Sequence, residues 1–354
     1  MYREAKMHID REALVHNAKI VKQLAPKASI IAMVKANAYG CGAKVVVDAL
    51  KDEVDAYGVA SIDEALALQV DFKTAKFVLF EGVFSADEYA LVAHYDFDCV
   101  IHQQAQLDWL LKQPLSKPIG VWVKVNTGMN RLGFKSDEFD AVWTALNACP
   151  WVKKPVTIMS HFASADSIDI QTKAQLSAFL ALALKGHPYK RSMANSAAIL
   201  NAPQSHFDAV RPGIMLYGVS PFDSKEGASL DLKPVMSLTS KITAIQTLQA
   251  GEHVGYGAAW TSTRPSRIAI VAIGYGDGYP RHISSGTMVW VGAHLVPIVG
   301  RVSMDMLTLD ITDFPMINLF EEVELWGKNL PIETIAKASN TLAYELLCQV
   351  LRRV

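Results

Sequence analysis

Over about the first 220 residues, short β-branched runs alternate with longer segments whose apolar residues recur at three- and four-residue spacing. The runs predict strands over 30–34, 57–60, 76–80, 97–101, 119–125, 156–160, 191–194 and 209–211. Segments such as 43–52, 62–70 and 86–95 predict the helices between them. Two helix starts carry a Ser-x-x-Glu pattern, Ser61 with Glu64 and Ser85 with Glu88, which predicts capping boxes closing the first turn. Eight strand-then-helix units in series predict an α/β fold, a closed (β/α)8 TIM-like barrel; an open doubly wound sheet more often stops sooner. From about Pro234 strand follows strand, over 235–248, 267–275, 287–292, 294–300, 306–311 and 323–327, with Gly, Pro and Asp between them. That pattern predicts a mostly antiparallel β domain closed by one helix over 332–353. The expected division is a barrel over residues 1–232 and a C-terminal β domain over 233–354, with a linker near 230–234.

Composition narrows the function classes. The 354 residues are 51% hydrophobic and 19% charged, with 34 Lys and Arg against 35 Asp and Glu. A balance so close to zero supplies no field for holding nucleic acid or an anionic membrane, so neither is expected as a partner. The four cysteines, Cys41, Cys99, Cys149 and Cys348, form no CxxC pair, and no metal site is expected. Without a basic-then-apolar leader or a long apolar stretch, the expected location is the cytoplasm, with reduced thiols.

In a barrel of this type the chemistry sits where strands end at their C-terminal side. The residues following the apolar runs are Lys35, His102, Lys124 at the end of the fifth run, His161, Asn195-Ser196 and Arg211-Pro212-Gly213. Several cationic and hydrogen-bonding groups thus converge on one mouth. Alternation along the fifth strand sets Val121, Val123 and Val125 on one side and Trp122 and Lys124 on the other, so Lys124 faces the barrel interior if the valines face the helices. A buried lysine must be paired or lose its charge; a carboxylate such as Glu81 or Asp55 is the plain alternative to a functional role. NSAA at 195–198 and RPG at 211–213 are singly a cap and a turn, but at the ends of the seventh and eighth strands together they suit a phosphate. Lys35, in a segment of small residues and glycines beside that site, is a candidate Schiff-base lysine for pyridoxal phosphate.

The ordered motifs resemble those of the alanine racemase family, over nearly the whole chain. They are VKANAYGCG at 34–42, KVNTGMNRLGF at 124–134, MSHFASAD at 159–166, NSAA at 195–198, VRPGIMLYG at 210–218, VGYGAAW at 254–260, IGYGDGYPR at 273–281, GRVSMDM at 300–306 and YELLC at 344–348. The resemblance implies interconversion of L- and D-alanine with pyridoxal 5'-phosphate and two bases on opposite faces of the substrate. It implies that Lys35 holds the cofactor and is one base, and that Tyr256 is the other. Tyr39, Ser196, Gly213, Ile214 and Tyr344 match positions that bind the cofactor phosphate. Arg211 matches the arginine facing the pyridine nitrogen, and His161 lies beside the ring. Arg131 matches the arginine near the cofactor phenolate and the substrate carboxylate, Met304 and Tyr275 match the substrate entrance, and Lys124 matches a lysine often carbamylated. The family pattern also implies a homodimer, with Tyr256 and Met304 reaching the site from the second subunit. One departure is Cys41, where the family usually has histidine.

Three other readings compete. A racemase for serine or for several amino acids shares every motif; a decarboxylase shares the barrel-plus-β plan; a non-catalytic vitamin B6 carrier shares the barrel but lacks the β domain. VGYGAAW and GRVSMDM favour the racemase branch. Its product would serve peptidoglycan synthesis, or its substrate would be D-alanine taken for catabolism.

Overall fold

The computed structural model describes residues 4–167, 169–182, 184 and 186–350. The chain forms two compact units: one spans Val15–Ala38 and Gly42–Leu216, and the other gathers the residues up to Leu14, Tyr39–Cys41 and the chain from Tyr217 onward. Strand β1 (Lys6–Ile9) opens the chain, and its place is in the second unit.

The first unit is the expected closed barrel. Its strands are β2 (Ser29–Met33), β3 (Ala56–Val59), β4 (Phe77–Leu79), β5 (Asp98–Ile101), β6 (Gly120–Lys124), β7 (Val156–Met159), β8 (Tyr189–Ser192) and β9 (Ala209–Val210). Every pairing is parallel, and β9 returns to β2 through Ser29↔Ala209 and Ile30↔Val210. Parallel strands joined by helices bury both faces, which is why they read as unbroken apolar runs. The interior is packed: Ile31, Ala56, Val78, Val100, Trp122, Met159 and Ala209 form one buried cluster across the strands. Trp122 sits in that interior cluster, so Lys124, two residues on, also faces inward, as the alternation predicted.

Neither capping box forms. Ser61 makes no side-chain cap bond, and the Glu64 carboxylate accepts the N–H of Ala60 rather than that of Ser61. In the second, the helix begins at Glu88, whose carboxylate accepts the N–H of Phe84 at 3.2 Å.

The second unit is the expected antiparallel sheet. Its strands are β10 (Met236–Leu248), β11 (His253–Val254), β12 (Trp260–Thr261), β13 (Ser266–Val271), β14 (Met288–Val291), β15 (His294–Pro297), β16 (Leu307–Asp310) and β17 (Glu322–Trp326). The main sheet runs β15-β14-β17-β10-β13-β16, and β1 adds antiparallel to the first half of β10 from Lys6↔Thr239 to Ile9↔Met236. The small hairpin β11-β12 carries the turn that contains Tyr256.

The single closing helix expected over 332–353 is two, Ile332–Ala338 and Ala343–Gln349, and Arg353 lies outside the described residues. Asn340 has φ 50°, and the N–H of Thr341 turns back to the carbonyl of Ala336 at 3.0 Å, a left-handed cap that ends the first helix.

Candidate active site

The barrel carries its polar side chains at the C-terminal strand ends. Arg211, after β9, is buried and, among the described residues, hydrogen-bonded only to neutral partners. Its Nη1 donates to Ser192 Oγ at 2.5 Å, and its Nη2 donates to the carbonyls of Ser160 at 2.6 Å and Met193 at 3.1 Å. The guanidinium also lies 5.9 Å from the centre of the Phe80 ring, within reach of its π face. Burial pushes its pKa below the ordinary arginine value, yet at neutral pH it keeps its charge.

His161, after β7, stands 3.4 Å from Arg211 Nη2 through its Nδ1. Burial first, then Arg211, Lys124, Arg131 and Lys35, hold the imidazole well below its usual pKa, so the ring is neutral. Facing a group that can only donate, Nδ1 accepts, and the proton resides on Nε2. The peptide beside it is fixed from behind, since Gln175 Nε2 donates to the His161 carbonyl at 3.0 Å.

Lys124, at the end of β6, is 7% exposed. Burial lowers its pKa to about 8, with Arg211, Arg131 and Lys35 adding to the effect and Glu81 opposing it. Neither carboxylate considered as its partner forms an ion pair with it: Asp55 accepts the N–H of Ile30, and Glu81 acts only at a distance. Among the described residues, none of Lys35, Lys124, Arg131 and Arg211 joins a salt bridge. Arg131 is exposed on an excursion from β6 that returns through the Val125↔Phe134 bridge. Asn126 shapes it, accepting the N–H groups of Gly128 and Asn130, both at 3.1 Å.

After β8, Ser196 Oγ accepts the N–H of Gly213 at 2.9 Å and of Met215 at 3.4 Å. This ties the turn after β9 to the start of the helix after β8. Ile214, the next residue in that turn, is fully buried. His102 is a structural residue, with Nε2 3.0 Å from the Glu81 carbonyl and 3.2 Å from Gln106 Nε2.

Lys35 follows β2 and opens a rare backbone feature. Ala36, Asn37, Ala38 and Tyr39 have φ of 53°, 52°, 55° and 54°, a left-handed turn without glycine. Such a turn costs about 1–2 kcal/mol per residue and needs outside support. Part of that support comes from Glu64, whose Oε1 accepts the N–H of Ala36 and whose Oε2 accepts that of Ala60, both at 2.7 Å. Sequence reasoning missed this role because the Ser-x-x-Glu spacing reads as a local cap; nothing in the spacing points to a partner 28 residues away.

The other predicted residues lie in the second unit. Tyr39 stacks on Tyr217 with centroids 4.7 Å apart and lies 6.1 Å from Tyr344. Burial, reinforced by Tyr344 and Cys348, pushes the Tyr39 phenol pKa up, so it stays a donor. Gly40 has φ +79°, and a Cβ there would fall 2.1 Å from the Leu347 carbonyl, so only glycine fits. Cys41 is buried and its thiol pKa is raised by burial, which makes it unreactive rather than nucleophilic. Tyr275 and Met304 share a backbone ladder, Tyr275 N donating to Ser303 O at 3.0 Å and Gly276 N to Met304 O at 2.8 Å. Tyr256 is 72% exposed, Met304 53% and Tyr275 38%.

A closed parallel barrel with a lysine, further cations and a neutral histidine gathered at its mouth, joined to an antiparallel β domain, defines a barrel enzyme built to hold an anionic cofactor or substrate. Residues 9–221 match the family model for the alanine racemase N-terminal domain and residues 235–354 that for the alanine racemase C-terminal domain. The chain is 51% identical to an alanine racemase of Legionella pneumophila strain Lens, covering 100% of this chain and 99% of the relative. It superposes on the biosynthetic alanine racemase of Pseudomonas aeruginosa with a TM-score of 0.95 at 42% identity, covering 99% and 98% of the two chains. The alanine racemase of Bartonella henselae, solved with covalently bound pyridoxal phosphate, gives a TM-score of 0.90 at 31% identity over 99% and 98%. The chain belongs to the alanine racemase family, whose members are isomerases.

Proposed function

We propose that this protein is a cytoplasmic, pyridoxal-phosphate-dependent alanine racemase that works as a homodimer with shared sites. The observation that carries the reading is the cluster of Lys35, Lys124, Arg131 and Arg211 at the barrel mouth, with no salt bridge to a carboxylate among the described residues. A cofactor that brings a phosphate and a phenolate fits this charge. Lys35 would hold it covalently; Ser196, Gly213 and Ile214, with Tyr39 and Tyr344, would take its phosphate; Arg211 would meet the ring nitrogen and Arg131 the phenolate. When bound, pyridoxal phosphate supplies an electron sink for the charge left on Cα as its proton departs.

The chain's own residues handle the protons. Lys35 takes or returns the Cα proton on one face and Tyr256 on the other, so the substrate need not turn over between steps. Phenols titrate at about pH 10 in water, so a tyrosine base needs a polar partner. Arg211 holds His161 in the tautomer that leaves Nε2–H free to donate to that phenolate oxygen. A guanidinium at the ring nitrogen, in place of an acid, would leave that nitrogen without a carboxylic proton donor, which would favour return of the proton over side reactions. Met304 and Tyr275 would border the substrate entrance, where pocket size bears on the acceptance of larger side chains. The division of labour is functional: residues 1–232 supply most of the cofactor-binding mouth, and 233–354 supply Tyr344 to it and Tyr256 and Met304 to a second copy, even though β1 pairs into the second sheet. The product D-alanine suits peptidoglycan synthesis, and the same site run in reverse suits its catabolism.

The exposure of Tyr256 and Met304 in the single chain supports their delivery to a neighbour. Lys35→Ala and Tyr256→Phe proteins are each expected to be severely impaired, while hybrids formed by exchanging subunits recover activity at the one site that has both residues. Proven exchange without recovery would mean that each copy builds its own site.

Lys124 is proposed to carry a carbamate. Only a neutral amine adds carbon dioxide, losing a proton and becoming an anion, and three cations around Lys124 favour the anion. Its pKa of about 8, against an ordinary 10.5, means that the neutral form grows as pH rises through 8 while ordinary lysines stay protonated. With ¹³C-bicarbonate, a carbamate resonance is expected to strengthen from about pH 7 to pH 9 and to be missing in Lys124→Arg. A spectrum without it at every pH removes the carbamate from the account.

A further inference from the structure

The left-handed turn after Lys35 is bridged by Glu64 to the end of the neighbouring strand β3, and we propose that Glu64 is a positioning residue for Lys35. The inference rests on the assignment of Lys35 as the cofactor lysine and goes beyond it, since no motif used for that assignment includes Glu64. The geometry is specific. One carboxylate reaches two backbone donors from different segments, Ala36 and Ala60, each at 2.7 Å. Ala36 is the residue directly after Lys35, so its N–H belongs to the peptide that sets where the lysine side chain leaves the backbone.

The rest of the turn is held locally. Ala38 N donates to Val34 O at 2.8 Å, Gly42 N to Asn37 O at 3.0 Å, and Asn37 Oδ1 accepts the N–H of Ala43 at 2.9 Å. These bonds close the turn on itself but leave its entry peptide, at Ala36, to Glu64. A charged acceptor on a backbone N–H is stronger than a neutral one. Four non-glycine residues in succession, Ala36 to Tyr39, oppose their positive φ, so the anchor at the start of the run decides whether Lys35 is presented in one orientation.

Glu64 is only half-buried and lies on the first turn of its helix, where an acidic residue already suits the helix dipole. Its immediate neighbour Asp63 is exposed, lies on the same first turn and makes no comparable bond to the lysine segment, which makes it the internal control.

The test uses purified Glu64→Gln, Glu64→Asp, Glu64→Ala and Asp63→Asn proteins, stripped of cofactor and titrated with pyridoxal phosphate. Three readouts are taken: the Kd from absorbance, the induced circular dichroism of the bound cofactor at saturation, and borohydride labelling mapped to residue 35. Glutamine keeps the reach and one acceptor, aspartate keeps the charge but is too short to span both amides, and alanine keeps neither. The expected Kd increases are about tenfold for Glu64→Gln and about a hundredfold for Glu64→Asp and Glu64→Ala, with Asp63→Asn unchanged. The induced dichroism changes in the order Gln, then Asp and Ala, because orientation is altered even when the site is filled. A role in fold stability alone would lower the thermal midpoint and leave the dichroism of the filled site as in the parent. That result, or Kd values within twofold of the parent, overturns the proposal, and Glu64→Gln carries the test if the shorter side chains do not fold. A parent protein that takes up no pyridoxal phosphate at Lys35 overturns the cofactor assignment and this inference together; labelling of the parent with indifferent variants overturns this inference alone.

Discussion

Lys35→Ala is expected to lower alanine racemisation by at least about 10⁴-fold in both directions, because a single substitution removes the covalent anchor and one proton-transfer group together. The residue stands alone in that double duty. Lys124 is buried and faces the same mouth, but its proposed carbamate is an anion without a nucleophilic amine, and Arg131 and Arg211 carry guanidinium groups, which are not amine nucleophiles. The rest of the site should survive, since neither the Arg211 contacts with Ser192, Ser160 and Met193 nor the Ser196–Gly213 bond involves Lys35. The variant is therefore expected to fold, to give far-ultraviolet circular dichroism like the parent and to lose borohydride-stable cofactor. Residual activity within tenfold of the parent would place the attachment elsewhere.

Tyr256→Phe is expected to reduce racemisation by about 10²–10⁴-fold, the range of a single proton-transfer group, and to do so with a direction. In deuterated water, exchange of the Cα proton of L-alanine should be abolished while exchange from D-alanine is partly spared, because Lys35 still serves that face. The loss of one hydroxyl on an exposed turn leaves the β11-β12 hairpin that carries it unchanged, so stability is expected to stay within about 0.5 kcal/mol. Nuclear magnetic resonance of recovered alanine reads both exchanges. Equal loss from the two enantiomers would remove the tyrosine from its assigned face.

The barrel was legible because parallel strands buried on both faces appear as unbroken β-branched runs, and each of the eight predicted runs overlaps an observed strand. The least regular was the seventh, expected at 191–194 and found as Tyr189–Ser192: its first residues, Tyr189 and Lys190, are exposed, so the strand does not read as a buried apolar run. Strand β1 was invisible for a related reason. Four residues, Lys6–Ile9, alternate between exposed and half-buried and become a strand only because β10 offers an edge more than 200 positions away. The closing helix was overextended because apolar spacing continues across Asn340, and only the left-handed backbone there reveals the break.

At the candidate site, strand-end position alone pointed to Lys35, Lys124, His161, Ser196 and Arg211, because a parallel barrel delivers such residues to one mouth. Tyr39, Tyr256, Tyr275, Met304 and Tyr344 carried no such signal: they stand on turns and short helices of the second unit, and only family resemblance singled them out. Glu64 was visible but misassigned, since a spacing rule describes contacts along the chain and its main contact runs across it.

The most direct measurement is chiral chromatography of alanine after incubation with the purified protein and pyridoxal phosphate, started separately from pure L- and pure D-alanine, with L-serine as the competing substrate. Both alanine reactions are expected to converge on equal amounts of the two enantiomers, with serine turned over more slowly. Unchanged alanine, or its conversion to ethylamine and carbon dioxide, would contradict it.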